Sequence, residues 1–265
     1  MRRFRTVFTV IVFIFLYIPM LLLIVGSFNQ GTDLARWEGF TFSQYGALFA
    51  DGTLLPLLLN SVLLAILSSL LATILGTSAC VGIRAMRRRI RSVVMSVTNI
   101  PLTNPEIVSG VSLALLFAFL GRLFHKNDVL GFFTLLIAHV TFCVPYIYLV
   151  VKARLTGMDP SLNEAARDLG AGPVRAFFSV TLPLILPGVL SGTLLAFAMS
   201  LDDFVISYFA YAPSYVTLPV EIYNYTKKPL QPKIYALFTL LFGVIFLLMV
   251  LMNLLQARGE KARAA

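Results

Sequence analysis

Five stretches of this chain carry no charged residue: Thr6–Thr32, Leu54–Ile83, Val129–Val151, Ala176–Leu201 and Ile234–Ala257. Each is long enough to cross a hydrocarbon core, which takes about 20 helical residues. A sixth, Ser92–Gly121, is interrupted once, by Glu106. In lipid only helices and closed barrels satisfy every backbone polar group. The fold class expected is therefore all-α and integral to the membrane, with six transmembrane helices near 7–27, 58–83, 93–120, 130–151, 182–205 and 235–256. Composition agrees. The 265 residues are 58% hydrophobic and 12% charged, where a soluble domain carries about 25% charged residues. The chain reads as a single transmembrane domain, 1–265, with a core bundle over about 58–256. Its outer apolar faces meet lipid.

The net charge of +9 suggests nucleic acid until its distribution is read. With the N-terminus inside, the inner segments hold Arg2, Arg3, Arg5; Arg84, Arg87, Arg88, Arg89, Arg91; Lys152, Arg154, Arg167, Arg175; and Arg258, Lys261, Arg263. The outer segments hold only Arg36, Arg122, Lys126, Lys227, Lys228 and Lys233. This bias places both termini in the cytoplasm. It turns the 84–91 arginine cluster into a topology signal rather than a nucleic-acid patch. The N-terminal run is too long for a signal peptide and is read as a retained first helix. Cys80 and Cys143 fall in spans and are read as buried free thiols. His139 and Cys143, four residues apart, share a helix face but lack the further ligands a metal site needs. They are read as packing.

Two intervals between spans hold many aromatic residues: Trp37, Phe40, Phe42, Tyr45 and Phe49 in 28–57, and several tyrosines and prolines in 206–234. Both are assigned to the outside, either as an interfacial aromatic belt or as a landing surface for a soluble partner.

The longest inner interval, 152–181, carries helix signals. Asp159-Pro160 suits an N-cap followed by Pro at the first helical position. Ser161-x-x-Glu164 fits a capping box instead. Either register starts a short helix near residue 160. Gly170 supplies a position where that helix ends and the chain turns. Gly172-Pro173 opens a second short helix running toward Pro183. Two such helices are too short to be stable alone in water and need a partner surface. Ala165 and Ala166 allow close approach to it, and Glu164 offers a carboxylate.

Acids within spans are costly, about 2.5–3.5 kcal/mol at a helix centre. Glu106 lies roughly 20 Å into the third span at 1.5 Å per residue, after Pro101 and Pro105. The prolines interrupt the backbone ladder, which is tolerated where the chain is packed in protein or lines a cavity. Asp202 and Asp203 come roughly 30 Å up the fifth span from Leu182. Adjacent helical residues point about 100° apart, so either one acid lines a path and the other caps the outer end, or both belong to a solvated helix end. Tyr208 and Tyr211 follow. The chain has no Gly-Lys-Ser/Thr phosphate loop and no Gly-x-Ser-x-Gly nucleophile motif. It is read as a non-enzyme.

The segment Glu164-Ala165-Ala166-Arg167-Asp168-Leu169-Gly170, then nine residues, then Val180-Thr181-Leu182-Pro183, resembles the coupling ("EAA") loop of type I ABC importer permeases. Further stretches, Ala138–Pro145, Ser200-Leu201-Asp202-Asp203 and Pro213–Pro219, resemble the branch that forms the second permease subunit of spermidine/putrescine importers. The resemblance implies a bacterial inner-membrane permease that holds no cofactor itself. A homologous permease would complete the pore, two ATPase subunits would bind ATP and Mg, and an extracytoplasmic binding protein would deliver cargo. It implies that Glu164, Ala165, Ala166, Asp168, Gly170, Leu182 and Pro183 couple to the ATPase. Ammonium groups of a polyamine need carboxylates or aromatic faces, which Glu106, Asp202, Asp203, Tyr208 and Tyr211 offer. Neighbouring branches of the family carry other small organic cargo. A secondary transporter would have no use for such a loop.

Overall fold

A computed structural model describes residues 2–31, 33, 36–125, 129–159, 161–227 and 231–264, the side chains of 2, 3, 248, 249 and 251–264 excepted. In chain order the helices are α1 (Arg2–Ser27), α2 (Ser43–Ala50), α3 (Leu54–Ala85), α4 (Arg88–Thr103), α5 (Glu106–Leu123), α6 (Phe132–Thr156), α7 (Ser161–Asp168), α8 (Pro173–Ala176), α9 (Leu182–Leu201), α10 (Val205–Ala210), α11 (Leu218–Thr226) and α12 (Pro232–Ala264). A π-helical turn, Phe177–Thr181, joins α8 to α9. Extended pairing among the described residues is confined to two isolated bridges, Asn29 with Phe40 and Ala212 with Tyr215.

Five helical stretches are long and apolar enough to span: Phe4–Ser27, Leu54–Ala85, Glu106–Leu123, Phe132–Thr156 and Pro173–Leu201. Within α12, Pro232–Leu247 is a shorter apolar piece. The expected third span, 93–120, is not one helix. Asn104 is extended (φ −77°, ψ 139°) and so is Pro105 (φ −57°, ψ 135°), because a residue before proline is pushed out of the α region. The break falls at Asn104-Pro105 alone, since Pro101 sits inside α4. Glu106 thus begins α5 and does not lie in the middle of a continuous span. The preceding α4 opens with Arg88, Arg89 and Arg91, packs Val94 and Met95 on the core and leaves Val93, Val97 and Ile100 exposed.

The chain forms two compact units, residues 1–56 with 223–265, and residues 57–222. In the first, α1 is apolar on every side and has no buried residue across its apolar window, as befits a surface solvated by lipid. The following loop is tied by Asn29. Its side-chain amide donates to the carbonyls of Asp33 and Arg36 (3.0 and 2.7 Å), and its Oδ1 accepts from the Glu38 amide at 2.9 Å. Phe28 packs on Phe40, Phe42 and Tyr45 with ring centroids 5.4–5.5 Å apart. The aromatic group expected in 28–57 therefore makes ring contacts around Phe28, while Phe40, Phe42, Trp37 and Phe49 all stay exposed. Lys233 at the start of α12 donates to Asp51 at 2.7 Å, so this carboxyl is held well below the usual range by the ammonium and by Thr53.

The second unit is built on α3, α6 and α9. Leu64, Leu135, Ala138, Cys143, Ile147, Ile185, Ala196 and Ile206 are fully buried in it. A hydrocarbon solvent gives no hydrophobic push between helices, so close backbone approach and cross-helix hydrogen bonds replace it. Gly76 supplies the first: a Cβ there would meet Ile147 Cγ2 at 2.9 Å and the Val144 carbonyl oxygen at 3.2 Å. Two hydroxyl pairs between α3 and α9 supply the second, Ser68–Ser200 and Thr73–Thr193, both at 2.8 Å. Cys80 and Cys143 are buried free thiols.

Candidate functional site

The elbow between α6 and α9 is defined by its backbone. Asp159 Oδ1 accepts from the Ser161 amide at 2.9 Å. The hydrogen bonds from Ser161 hold the Asp159 carboxyl below its ordinary value. Asp159 therefore starts α7, and the capping-box alternative fails because the amide that Glu164 would have to reach is already used. Pro160 lies outside the described residues. At the far end, the Ala171 amide donates to the Ala166 carbonyl (3.0 Å) and the Gly170 amide to the Arg167 carbonyl (2.9 Å). With Gly170 at φ +84°, this is a Schellman ending. The chain then turns, and Gly172 caps α8 with Pro173 at its first position.

From Pro173 the helix continues into the span, but through the π turn. The Leu182 amide reaches back to the Phe177 carbonyl. Pro183 has no N–H to offer the turn below it, and the wider turn accommodates that loss. One side-chain bond ties the two arms of the elbow: Thr181 Oγ1 donates to Asn163 Oδ1 at 3.1 Å. Leu182 packs on the core. The outer face is bare. Glu164, Ala165, Asp168, Gly170 and Pro183 are exposed, and Ala166 is half-buried. The Glu164 carboxylate has no hydrogen bond or ion pair among the described residues. Leu169 is 89% exposed, Val174 68% and Phe178 61%. Open apolar side chains thus stand beside Glu164 and Asp168, whose carboxylates make no ion pair among the described residues.

A second set of residues gathers where α9 gives way to α10. Asp202 is the C-cap of α9, its amide bonded to the Ala198 carbonyl, and its side chain is exposed. Glu106 lies within electrostatic range of Asp202 and of Tyr146. Gly110, one helical turn after Glu106, brings α5 against α10: a Cβ there would meet Ile206 Cα and the Val205 carbonyl oxygen at 3.4 Å. Tyr208 and Tyr211 are half-buried with ring centroids 6.3 Å apart. Glu106, Asp202 and the two tyrosines are thus arranged about one helix break. The elbow residues belong to a different place.

Of the two adjacent acids, Asp203 is the one that faces away from the helix break. It turns inward, is 8% exposed, and accepts from the amides of Ser207 (2.8 Å) and Ile206 (3.3 Å). It caps the first turn of α10. Buried carboxylates persist where they are hydrogen-bonded, and here the free amides of a new helix supply the bonds. His139 completes the arrangement. It is 1% exposed, with Nδ1 2.7 Å from Ser200 Oγ, Nε2 3.0 Å from Ser207 Oγ, and Nε2 3.5 Å from Asp203 Oδ2. With Ser68 behind Ser200, a polar chain crosses α3, α9, α6 and α10. From the sequence alone His139 reads as packing, and Ser68, Ser200 and Ser207 carry no assignment. The available signal was a histidine in an uncharged span, which needs a partner for each ring nitrogen. Among the described residues no group of three or more His, Cys, Asp or Glu side chains could hold a metal.

Residues 68–261 match the family of binding-protein-dependent transport system inner membrane components. The chain belongs to this family. It is a multi-pass membrane permease of a binding-protein-dependent transport system, and both the elbow and the break at 202–204 lie inside the matched region. The permease is 38% identical over 260 residues to the putrescine transport system permease protein PotI of Escherichia coli K12, covering 98% of this chain and 92% of that one. It is 39% identical over 262 residues to the spermidine/putrescine transport system permease protein PotC of Haemophilus influenzae, covering 98% and 100%. Among solved structures, a bacterial ABC transporter for alginate import superposes with TM-score 0.77 at 17% identity over 96% of this chain and 94% of that one. An amino acid ABC transporter superposes with TM-score 0.57 at 21% identity over 82% and 96%. At those identities the likeness concerns the fold, and it bears out the all-α importer-permease class read from the sequence.

Proposed function

We propose that this permease forms half of the translocation path of an ATP-driven importer of polyamines, and that the elbow at 159–183 receives the stroke of a separate ATPase. The observation that carries the reading is mechanical. The elbow presents the side chains of Glu164, Leu169 and Val174 outward, exposed among the described residues, while the Asn163–Thr181 bond and the unbroken run from Pro173 to Leu201 tie it to a span. A force applied to α7 therefore moves α9, and with it the acids at the far end.

In this assembly a homologous permease completes the pore and two ATPase subunits hold ATP and Mg. A soluble binding protein delivers cargo from outside, and both termini face the cytoplasm by the lysine and arginine bias. Glu164, Ala165, Ala166, Asp168 and Gly170 form the docking surface, and Leu182 and Pro183 root it in the span. Glu106 and Asp202, with Tyr208 and Tyr211, meet ammonium groups during passage. Asp203 supports them from behind as a cap. The names of the similar permeases from E. coli and H. influenzae favour putrescine or spermidine as cargo, and the pairing of acids with tyrosines suits an organic cation.

The decisive experiment reverses the charge at Glu164. In proteoliposomes containing the whole transporter, Glu164→Lys leaves the protein in the membrane and separates ATP hydrolysis from putrescine uptake. Uptake per ATP equal to wild type would remove the docking role.

A further inference from the structure

Beyond the transport role, we infer that the permease carries an anion pocket between α3, α4 and α6, built to take the phosphate of an anionic phospholipid headgroup or of a free phosphate. The cavity holds about 260 Å³ and lies at the end of the bundle assigned above to the cytoplasm. Arg84 from α3, Arg91 from α4 and Lys152 from α6 line it, and its lining contains no carboxylate. Three cations thus converge from three helices with no acid among them. All three side chains line the same cavity as Cys80. Part of their bonding capacity is used internally: Arg84 Nη1 donates to the Leu155 carbonyl at 3.1 Å, and Lys152 Nζ lies 5.7 Å from the Tyr148 ring centroid. The Arg91 guanidinium has no hydrogen bond or ion pair among the described residues, and a guanidinium keeps further donors even when one is engaged.

Like charges gathered in one cavity repel, and a bound anion removes that cost. The lining suits a phosphate on a lipid: Arg84 and Arg91 are exposed and Lys152 half-buried, while Ile83, Leu155 and Met158 are buried apolar residues of the same cavity. Basic pockets between spans on the cytoplasmic side are a recurrent headgroup site. Met158 also immediately precedes Asp159, the cap of α7, so an occupant sits where α6 passes into the elbow.

The test uses the purified full-length permease in detergent. Native mass spectrometry measures retention of phosphatidylglycerol against phosphatidylcholine, and thermal shift is followed on addition of each lipid or of inorganic phosphate. Wild type is expected to retain and be stabilised by phosphatidylglycerol in preference to phosphatidylcholine. Arg91→Gln and Lys152→Gln each weaken that retention roughly five-fold, the factor corresponding to about 1 kcal/mol per surface cation. Arg89→Gln, on the same basic segment but outside the lining, keeps it. Stabilisation by inorganic phosphate that is lost in Arg91→Gln, without lipid preference, assigns the same pocket to free phosphate. Equal retention of both lipids with no phosphate effect overturns the inference, as does a loss in Arg89→Gln as large as in Arg91→Gln. The wild-type comparison needs no variant, so misfolding of one does not leave the question open.

Discussion

Gly170 offers a clean test of whether the geometry of the elbow matters for transport. Its φ of +84° lies in the left-handed region, which costs an L-residue with a Cβ about 1–2 kcal/mol. Nothing lies within 4 Å of where a Cβ would stand. The cost of Gly170→Ala is therefore conformational and not steric. It falls on the two hydrogen bonds that close α7, Ala171 to Ala166 and Gly170 to Arg167. A loss of 1–2 kcal/mol lowers the population of the closed turn by a factor of roughly 5–30. Gly172 is the control, because it too has open space around it but sits at φ −63°, ψ 163°, which alanine adopts freely. Asparagine tolerates the left-handed region, so Gly170→Asn falls between. The assay has two parts. Hydrogen exchange on a peptide covering 165–172 reports opening of the turn, and putrescine uptake per ATP reports coupling. Gly170→Ala should raise exchange by the stated factor and lower uptake per ATP, while Gly172→Ala changes neither. If Gly172→Ala impairs coupling as much as Gly170→Ala, or if Gly170→Ala leaves exchange unaltered, the left-handed turn is not what holds the elbow.

Further outcomes follow from other contacts. His139→Phe keeps the bulk but leaves Ser207 and Asp203 without the imidazole. A stranded buried polar group costs about 1–3 kcal/mol, so the thermal midpoint in detergent should fall, and an unchanged midpoint would contradict the network. Asp51 has a depressed carboxyl pKa in the folded state, so its pairing with Lys233 stabilises fully above the ordinary carboxylate value near 4 and is lost as pH falls below it. Asp51→Asn should therefore be less stable than wild type at neutral pH, and the gap should close on acidification. A gap that widens toward low pH would reverse the assignment. Glu106→Gln should raise the apparent KM for putrescine uptake roughly ten-fold, the scale of one charge-assisted contact, with assembly unaffected. Unchanged transport kinetics would make Glu106 a structural residue.

Features that depend on near neighbours and on solvent are legible in the order of residues alone. Uncharged runs of spanning length called for helices, since lipid leaves the backbone no other closed solution. Asp159, Gly170 and Gly172-Pro173 punctuated the elbow through local backbone preferences that need no distant partner. The same locality explains why Pro105 ended a helix, although the length of apolar sequence around it suggested one continuous span. The remaining features arise from packing between distant segments. Asp202 and Asp203 are adjacent and chemically identical, yet one is exposed and the other is buried against His139. What separates them is the helix that restarts at Val205 and offers its amides on one side only. The ties from Ser68 to Ser200 and from Asn163 to Thr181, like the meeting of Arg84, Arg91 and Lys152, join residues remote in sequence. Such pairs exist only once packing has fixed the helices side by side, and a hydroxyl or guanidinium in the sequence carries no mark of its eventual partner.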